Sequence, residues 1–253
     1  MNKLNKPKEK VSYFIADLHL AENRPDITAC FLSFLKNDAI KAEQLFILGD
    51  LFEIWFGDDY KSELTDAVIE ALTLLKEFGT KTYFIHGNRD FLLGNNYALQ
   101  AGMTLLPEKK LITLYNENIL LMHGDTLCTR DVDYQKFRKK SRSWWWQGFM
   151  TNLPLWLRKR IADNYRKKSK QAQQTKSIDI MDVTESEVVK DLEDFNCQLM
   201  IHGHTHRPDI HQLTANGKPA QRLVLGDWYE QGAWLKVTPT EKTLLNIPLK
   251  IIN

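Results

Sequence analysis

Short apolar runs alternate along this chain with segments of helical spacing, and each apolar run of the core stops at a small cluster of Gly, Asp, Asn or His. Val11 to Ala16 reads as a buried strand ending at Asp17. Asp26 to Asn37 carries Ile27, Phe31, Phe34 and Leu35 at helical spacing. Gln44 to Leu48 predicts a second strand, ended by Gly49-Asp50. Leu64 to Phe78 predicts a helix closed by Gly79, and Lys81 to Ile85 a third strand running into Gly87-Asn88-Arg89-Asp90. This alternation predicts βαβ units, an α/β fold and a largely parallel inner sheet.

Further strands are predicted at Leu111–Leu114 and Ile119–Met122, the second ending in His123-Gly124-Asp125. Gln198–Ile201 leads into His202-Gly203-His204-Thr205-His206. Short alternating strands follow at Arg222–Leu225, Ala233–Val237 and Leu244–Ile247. From about Arg130 to Ser177 the texture changes to basic, Trp-rich and helical. The expected organisation is therefore a core of residues 1–129 and 178–253 with a helical lid inserted at 130–177.

Composition changes this picture little. The 253 residues are 43% hydrophobic, enough for a full core, and 34 basic against 32 acidic side chains leave a net charge of +2. No stretch approaches the ~20 apolar residues that span a bilayer, and no secretory pattern follows the basic start. Cys30, Cys128 and Cys197 are odd in number and widely spaced, which suits buried thiols in a reducing compartment. A cytoplasmic location is expected.

The five polar clusters change it more. Ligands in open α/β sheets bind beyond the carboxyl ends of the strands, so all five can converge. Residues two apart in extended backbone face one side, which pairs Asp17 with His19 and His204 with His206. Any one of these residues alone is more often a cap, a turn residue or a satisfied core histidine. Five clusters at successive strand ends are hard to explain that way. Three oxygen donors (Asp17, Asp50, Asn88) and four imidazoles (His19, His123, His204, His206) exceed one ion and suit two, with Asp50 able to bridge through its two oxygens. Mixed N/O donors without thiolate point to Mn²⁺, Fe or Zn²⁺. Two ions about 3.5–4 Å apart activate water for in-line displacement at phosphorus.

The segments IADLHL, ILGDLFEIWFGDD, FIHGNRDF, LMHGD and IHGHTH resemble the calcineurin-like metallophosphoesterase superfamily, whose pattern is D-x-H, G-D, G-N-H/R, H and G-H-x-H. The resemblance covers about residues 11 to 210. It implies a four-layer α/β/β/α sandwich with Asp17, His19, Asp50 and His206 on one ion and Asp50, Asn88, His123 and His204 on the other. GDLFEIWFGDD, HGNRDFLLG, TKSIDIMDV and HGHTHRP narrow the likeness to the branch that acts on UDP-2,3-diacylglucosamine in lipid A biosynthesis. For that branch the implied reaction is hydrolysis to UMP and 2,3-diacylglucosamine 1-phosphate. Mn²⁺ is the implied metal, and the insertion is implied to hold the acyl chains at the cytoplasmic face of the inner membrane. By position Asn88, Arg89, Asp131, Arg158, Arg166, Ser169, Gln173, Lys176 and His204 are implied to contact substrate. Asn88, Arg89 and Asp50 are implied to serve the chemistry. Gln173 stands where relatives commonly carry Asn.

Two features of the residues bear on this independently. Arg89 follows Asn88 where the superfamily's phosphatases carry a histidine discussed as a general acid. A phosphate leaving group, with a second pKa of about 6, needs charge stabilisation more than a proton, and a guanidinium suits that. Between Lys136 and Lys170 stand twelve basic residues against one acid, Asp163, interleaved with Trp144, Trp145, Trp146, Phe149, Leu153, Leu155, Trp156 and Leu157. A solvated charged face over core tryptophans would also fit. So would single-stranded nucleic acid, but a run of three tryptophans favours an apolar–polar boundary, and no nucleic-acid partner is expected. His86, His202 and His211 are assigned to packing or to supporting the ligands. The rivals are a broader phosphodiesterase or nucleotide pyrophosphatase, a nuclease, and a non-catalytic scaffold of the same fold.

Overall fold

The computed structural model describes residues 8–175 and 182–249, the side chains of 168–175 excepted. Lys176 therefore lies outside the described residues, and so do the side chains of Ser169 and Gln173.

Strand residues that bury both faces read as continuous apolar runs, and here alternate residues of each run enter different cores. In β1 (Glu9–Ile15) Tyr13 and Ile15 face one hydrophobic layer while Phe14 and Ala16 face another. β2 (Ala42–Ile47) repeats the split with Leu45 and Ile47 against Phe46 and Leu48. In β6 (Glu117–Met122) Ile119 and Leu121 enter the shared middle layer, whereas Leu120 and Met122 enter a third core. The middle layer is thus the interface of two sheets. The outer layers are covered by helices, which gives an α/β/β/α sandwich.

The first sheet runs β11-β10-β1-β2-β3-β4, adding β3 (Lys81–Phe84), β4 (Met103–Leu105), β10 (Gln231–Val237) and β11 (Lys242–Pro248). The second runs β5-β6-β7-β9-β8, with β5 (Lys109–Leu114), β7 (Leu199–His202), β8 (Asp209–Ala215) and β9 (Lys218–Val224). The expected parallel sheet is present only in part. β1 to β4 are parallel, but β10 joins β1 antiparallel and turns straight into β11. A short turn such as that at Thr238–Glu241, where the Thr238 N–H donates to the Glu241 carbonyl at 2.9 Å, can only reverse the chain.

Helices α1 (Pro25–Asn37), α2 (Glu63–Glu77) and α3 (Asn95–Gln100) cover the first sheet. Ser62 caps α2, its side chain accepting from the Thr65 N–H while Thr65 Oγ1 accepts from the Ser62 N–H. Between β6 and α7 (Glu185–Asp194) come α4 (Val132–Ser141), α5 (Trp144–Thr151) and α6 (Leu155–Thr175). The two ends of that segment meet: the Thr184 N–H donates to the Leu127 carbonyl at 2.9 Å, and Thr129 Oγ1 to Thr184 Oγ1 at 2.8 Å.

Candidate metal centre

The loops after β1, β2, β3, β6 and β7 are zipped together by their own backbones. Asp17 N–H donates to the Gly49 carbonyl, His19 N–H to that of Asp50, and Gly203 N–H to that of His123. Five of the seven candidate ligands adopt positive φ: Asp17 (55°), His19 (51°), Asp50 (52°), His204 (70°) and His206 (55°). For residues with a Cβ this region is sparsely populated, with a strain of order 1–3 kcal/mol each. The surrounding fold must impose it. Asp90, fully buried, does so for Asp50: its carboxylate accepts from the N–H groups of Asp50 (3.3 Å), Leu51 (2.7 Å) and Gly87 (2.9 Å). Gly87 is obligatory here, because a Cβ on it would lie 2.0 Å from Asp50 Oδ1.

The side chains converge on one place. Asp50 Oδ1 accepts from the Arg89 N–H at 2.8 Å, which leaves Oδ2 directed at both histidine groups, 3.9 Å from His19 Nε2 and 3.8 Å from His123 Nε2. Of the two oxygens, Oδ2 is thus the one that faces both rings. Asp17 Oδ1 lies 4.0 Å from His19 Nε2 and 3.5 Å from His206 Nε2, buried and without a hydrogen-bond partner. Asn88 Oδ1 and His204 Nδ1 lie 3.1 and 3.2 Å from His123 Nε2.

The carboxylates on the far side of two of the rings show why a cation belongs here. His19 Nδ1 lies 2.9 Å from Glu53 Oε2 and His206 Nδ1 lies 3.0 Å from Asp227 Oδ2, so a carboxylate backs each ring. The two Nε2 atoms face each other across 3.4 Å. His123 is backed by the Leu48 carbonyl, 2.8 Å from Nδ1. Burial lowers the pKa of His206, but Asp17 and Asp227 outweigh it and pull the ring up to about 10. Burial likewise favours the neutral form of Asp17, yet His206, His123 and His19 outweigh it and hold the carboxyl below its ordinary range. The site demands positive charge. Its residues fit divalent ions, with Asp17, His19 and His206 forming one group of donors and Asp17, Asp50 and His123 another.

The centre forms one wall of a cavity of about 650 Å³. Asn88, Arg89, Asp131, Arg166 and His204 line it. Asp131 also caps α4, accepting from the Tyr134 N–H at 3.1 Å. Helices α4, α5 and α6 add apolar lining, Phe137, Trp146, Met150 and Ile161, beside the polar Asp133, Tyr134 and Arg166.

Arg158 does not reach this cavity, contrary to the sequence expectation. It is 2% exposed and its guanidinium is consumed by the Leu153 and Phe56 carbonyls and by Asp59. It clamps α6 to the core. Asp58, whose role was not legible, caps α3 from outside, accepting from the N–H groups of Gly94 (2.8 Å) and Tyr97 (3.1 Å). His202 is buried between the Gly203 carbonyl and Arg222, its pKa lowered to about 3 by burial and by Arg222. His86 bonds the Leu93 carbonyl, and His211 is half-buried on β8.

Sequence reasoning missed Glu53, Asp90 and Asp227. Asp227 had a visible signal, since Gly226-Asp227 ends the apolar run Leu223–Leu225 as the five recognised clusters end theirs. Tyr229, which stacks on His19 at 5.2 Å and 14°, had none.

Two sheets covered by helices, with buried carboxylates and imidazoles at their strand ends, define a metal-dependent phosphoesterase. A model of the calcineurin-like phosphoesterase family matches residues 12–208, and the chain belongs to that family. It is 51% identical to the UDP-2,3-diacylglucosamine hydrolase of Salmonella arizonae over 236 residues, covering 93% of this chain and 98% of the relative. The proteins of that name from Escherichia coli and Escherichia fergusonii match with the same identity and coverage.

Proposed function

We propose that this chain hydrolyses the pyrophosphate bond of UDP-2,3-diacylglucosamine, releasing UMP and 2,3-diacylglucosamine 1-phosphate in lipid A biosynthesis. The names of its relatives support the substrate. The observation that carries the reading is the mixed lining of one cavity, which joins acids and imidazoles of the candidate metal centre to the aromatic and aliphatic side chains Phe137, Trp146, Met150 and Ile161 of α4–α6. A diphosphate joined to a diacylated sugar needs both. Cyclic nucleotides and dinucleoside polyphosphates have nothing to place against the apolar lining.

Two divalent ions, Mn²⁺ by the family resemblance, would supply a water that ionises near neutral pH and neutralise charge on the reacting phosphate. Asp17, His19, Asp50 and His206 would hold one, and Asp50, Asn88, His123 and His204 the other. Arg89, whose Nε is buried without a hydrogen-bond partner, offers a donor to the phosphate that leaves. Asp131 and Arg166, on the cavity wall, and Ser169, Gln173 and Lys176 by family position complete the substrate contacts. The segment 130–177 acts as a lid that takes the acyl chains and rests on the cytoplasmic face of the inner membrane.

The test is a product assay on UDP-2,3-diacylglucosamine with Mn²⁺ and with chelator. UMP release that chelator abolishes is expected. Turnover of bis(p-nitrophenyl) phosphate or cyclic AMP, with none of the acylated UDP-sugar, would transfer the assignment to a broader phosphodiesterase.

A further inference from the structure

Glu53 sits between the metal centre and the lid. It follows a parallel bridge, Leu20 to Phe52, that ties the loop after β2 to the loop after β1, and its own N–H donates to the Leu20 carbonyl at 3.1 Å. The backbone thus delivers the carboxylate to a fixed point, where it is 8% exposed. One oxygen, Oε2, lies 2.9 Å from His19 Nδ1; the other, Oε1, lies 2.7 Å from the Arg166 guanidinium on α6. The other face of the same imidazole is covered by the Tyr229 ring. The side chain that orients a candidate ligand is therefore also the side chain that α6 grips.

The two contacts differ in strength. His19 and Glu53 are both nearly enclosed, so that 2.9 Å contact is shielded from water. Arg166 is 47% exposed, and an ion pair that open to solvent contributes little, about 0–1 kcal/mol. An arginine so weakly held can transfer to a better anion entering the cavity, while Glu53 stays on His19. We propose that Glu53 is a positioning residue with two tasks: it fixes the Nδ1–H form of His19 for metal binding, and it parks Arg166 at the cavity wall until an anionic substrate takes it. The proposal rests on the metal-site reading above.

The experiment titrates Mn²⁺ into the full chain by calorimetry and measures KM and kcat separately, for wild type, Glu53→Ala, Glu53→Gln, Arg166→Ala and the double variant Glu53→Gln/Arg166→Ala. Glu53→Ala removes the partner of a ligand and should weaken Mn²⁺ binding about 10–100-fold. Glu53→Gln has the same shape and keeps an oxygen to accept from His19, so Mn²⁺ binding should return to within about threefold of wild type. The same Gln cannot pair with Arg166. Its effect on KM should therefore be non-additive with that of Arg166→Ala, as residues in contact require. Mn²⁺ binding by Glu53→Ala within twofold of wild type would overturn the first task, and strictly additive KM effects the second. Glu53→Gln keeps the question open to measurement if the alanine variant does not fold. A wild-type chain that binds no Mn²⁺ would remove the metal reading itself, and the inference with it.

Discussion

At Asp50 the backbone and the charge can be separated. Its φ of 52° lies in the left-handed region, which asparagine tolerates better than alanine does. Asp50→Asn should therefore keep the fold, with a melting temperature close to wild type, while removing the anionic oxygen that faces both His19 and His123. Supporting partners of metal ligands are worth about 10–100-fold, and the bridging carboxylate should cost more than that in kcat/KM. Activity within tenfold of wild type would remove Asp50 from the bridging role. Asp90→Ala should behave in the opposite manner, because it leaves three buried N–H groups without an acceptor. A loss of about 1–3 kcal/mol per unsatisfied group is the expected scale, read by chemical denaturation. These two acids stand forty residues apart on the same short contact. Asp50 was legible as a candidate ligand because Gly-Asp ends an apolar run. Its anchor Asp90 was not, because nothing in the order of residues says which backbone N–H groups a side chain will meet.

Among the elements, helices α4 and α6 are fastened at two points that carry different physics. Arg158 ties α6 to the loop at Phe56–Asp59 from a buried position. Arg158→Ala should cost about 1–3 kcal/mol, since two carbonyls lose a charged donor, and faster hydrogen exchange in α6 should show it. Mn²⁺ affinity should not change; an unchanged melting temperature with a raised KM would instead restore the sequence expectation that Arg158 meets the phosphates. Asp125 ties α4 to the end of β6 through Tyr134 (2.6 Å) and Arg138 (2.7 Å). Burial raises its pKa, but His123, Arg142 and His204 outweigh that and leave it below 3.8. A carboxyl depressed in the folded state stabilises above its unfolded pKa and loses that contribution as pH falls through the folded value. Asp125→Asn should thus melt below wild type at pH 7, with the gap closing as the pH drops under about 4. The long periodic elements, α1 and α2, were legible within a residue or two because their apolar spacing is a local signal. β8 was passed over although Asn216-Gly217, at φ 53° and 67°, is the two-residue turn that pairs it with β9. α3 and β4 are too short for periodicity to register, and they owe their form to Asp58 and to pairing with β3.

On the scale of the whole molecule, a net charge of +2 hides an uneven surface. Among the described residues no helix is long and apolar enough to cross a membrane, yet α5 and the start of α6 leave Trp144 85%, Phe149 59%, Trp156 66% and Trp145 52% exposed. Trp146 and Met150, on the other side of α5, are buried. The Trp-Trp-Trp run is therefore divided, one ring packing near Phe91 and two facing outward. Lys139, Lys140, Arg160 and Lys167 are exposed on the same segment. An aromatic side chain gains about 1.5–3 kcal/mol on full burial, and a basic residue near an anionic leaflet about 1 kcal/mol. Neither term alone holds a protein on a membrane firmly; together they suffice for reversible association. Flotation with anionic vesicles should recover the wild-type chain, and neutral vesicles or about 1 M salt, where the Debye length falls to about 3 Å, should release much of it. Replacing Trp144, Trp145 and Phe149 with serine should abolish flotation while leaving hydrolysis of a detergent-dispersed substrate intact, because none of the three lines the cavity. Trp146→Ser should instead lower thermal stability and activity together, since that ring packs inside. If the outer triple variant still floats, the exposed face of α5 is not what meets the lipid, and the basic residues alone must account for it.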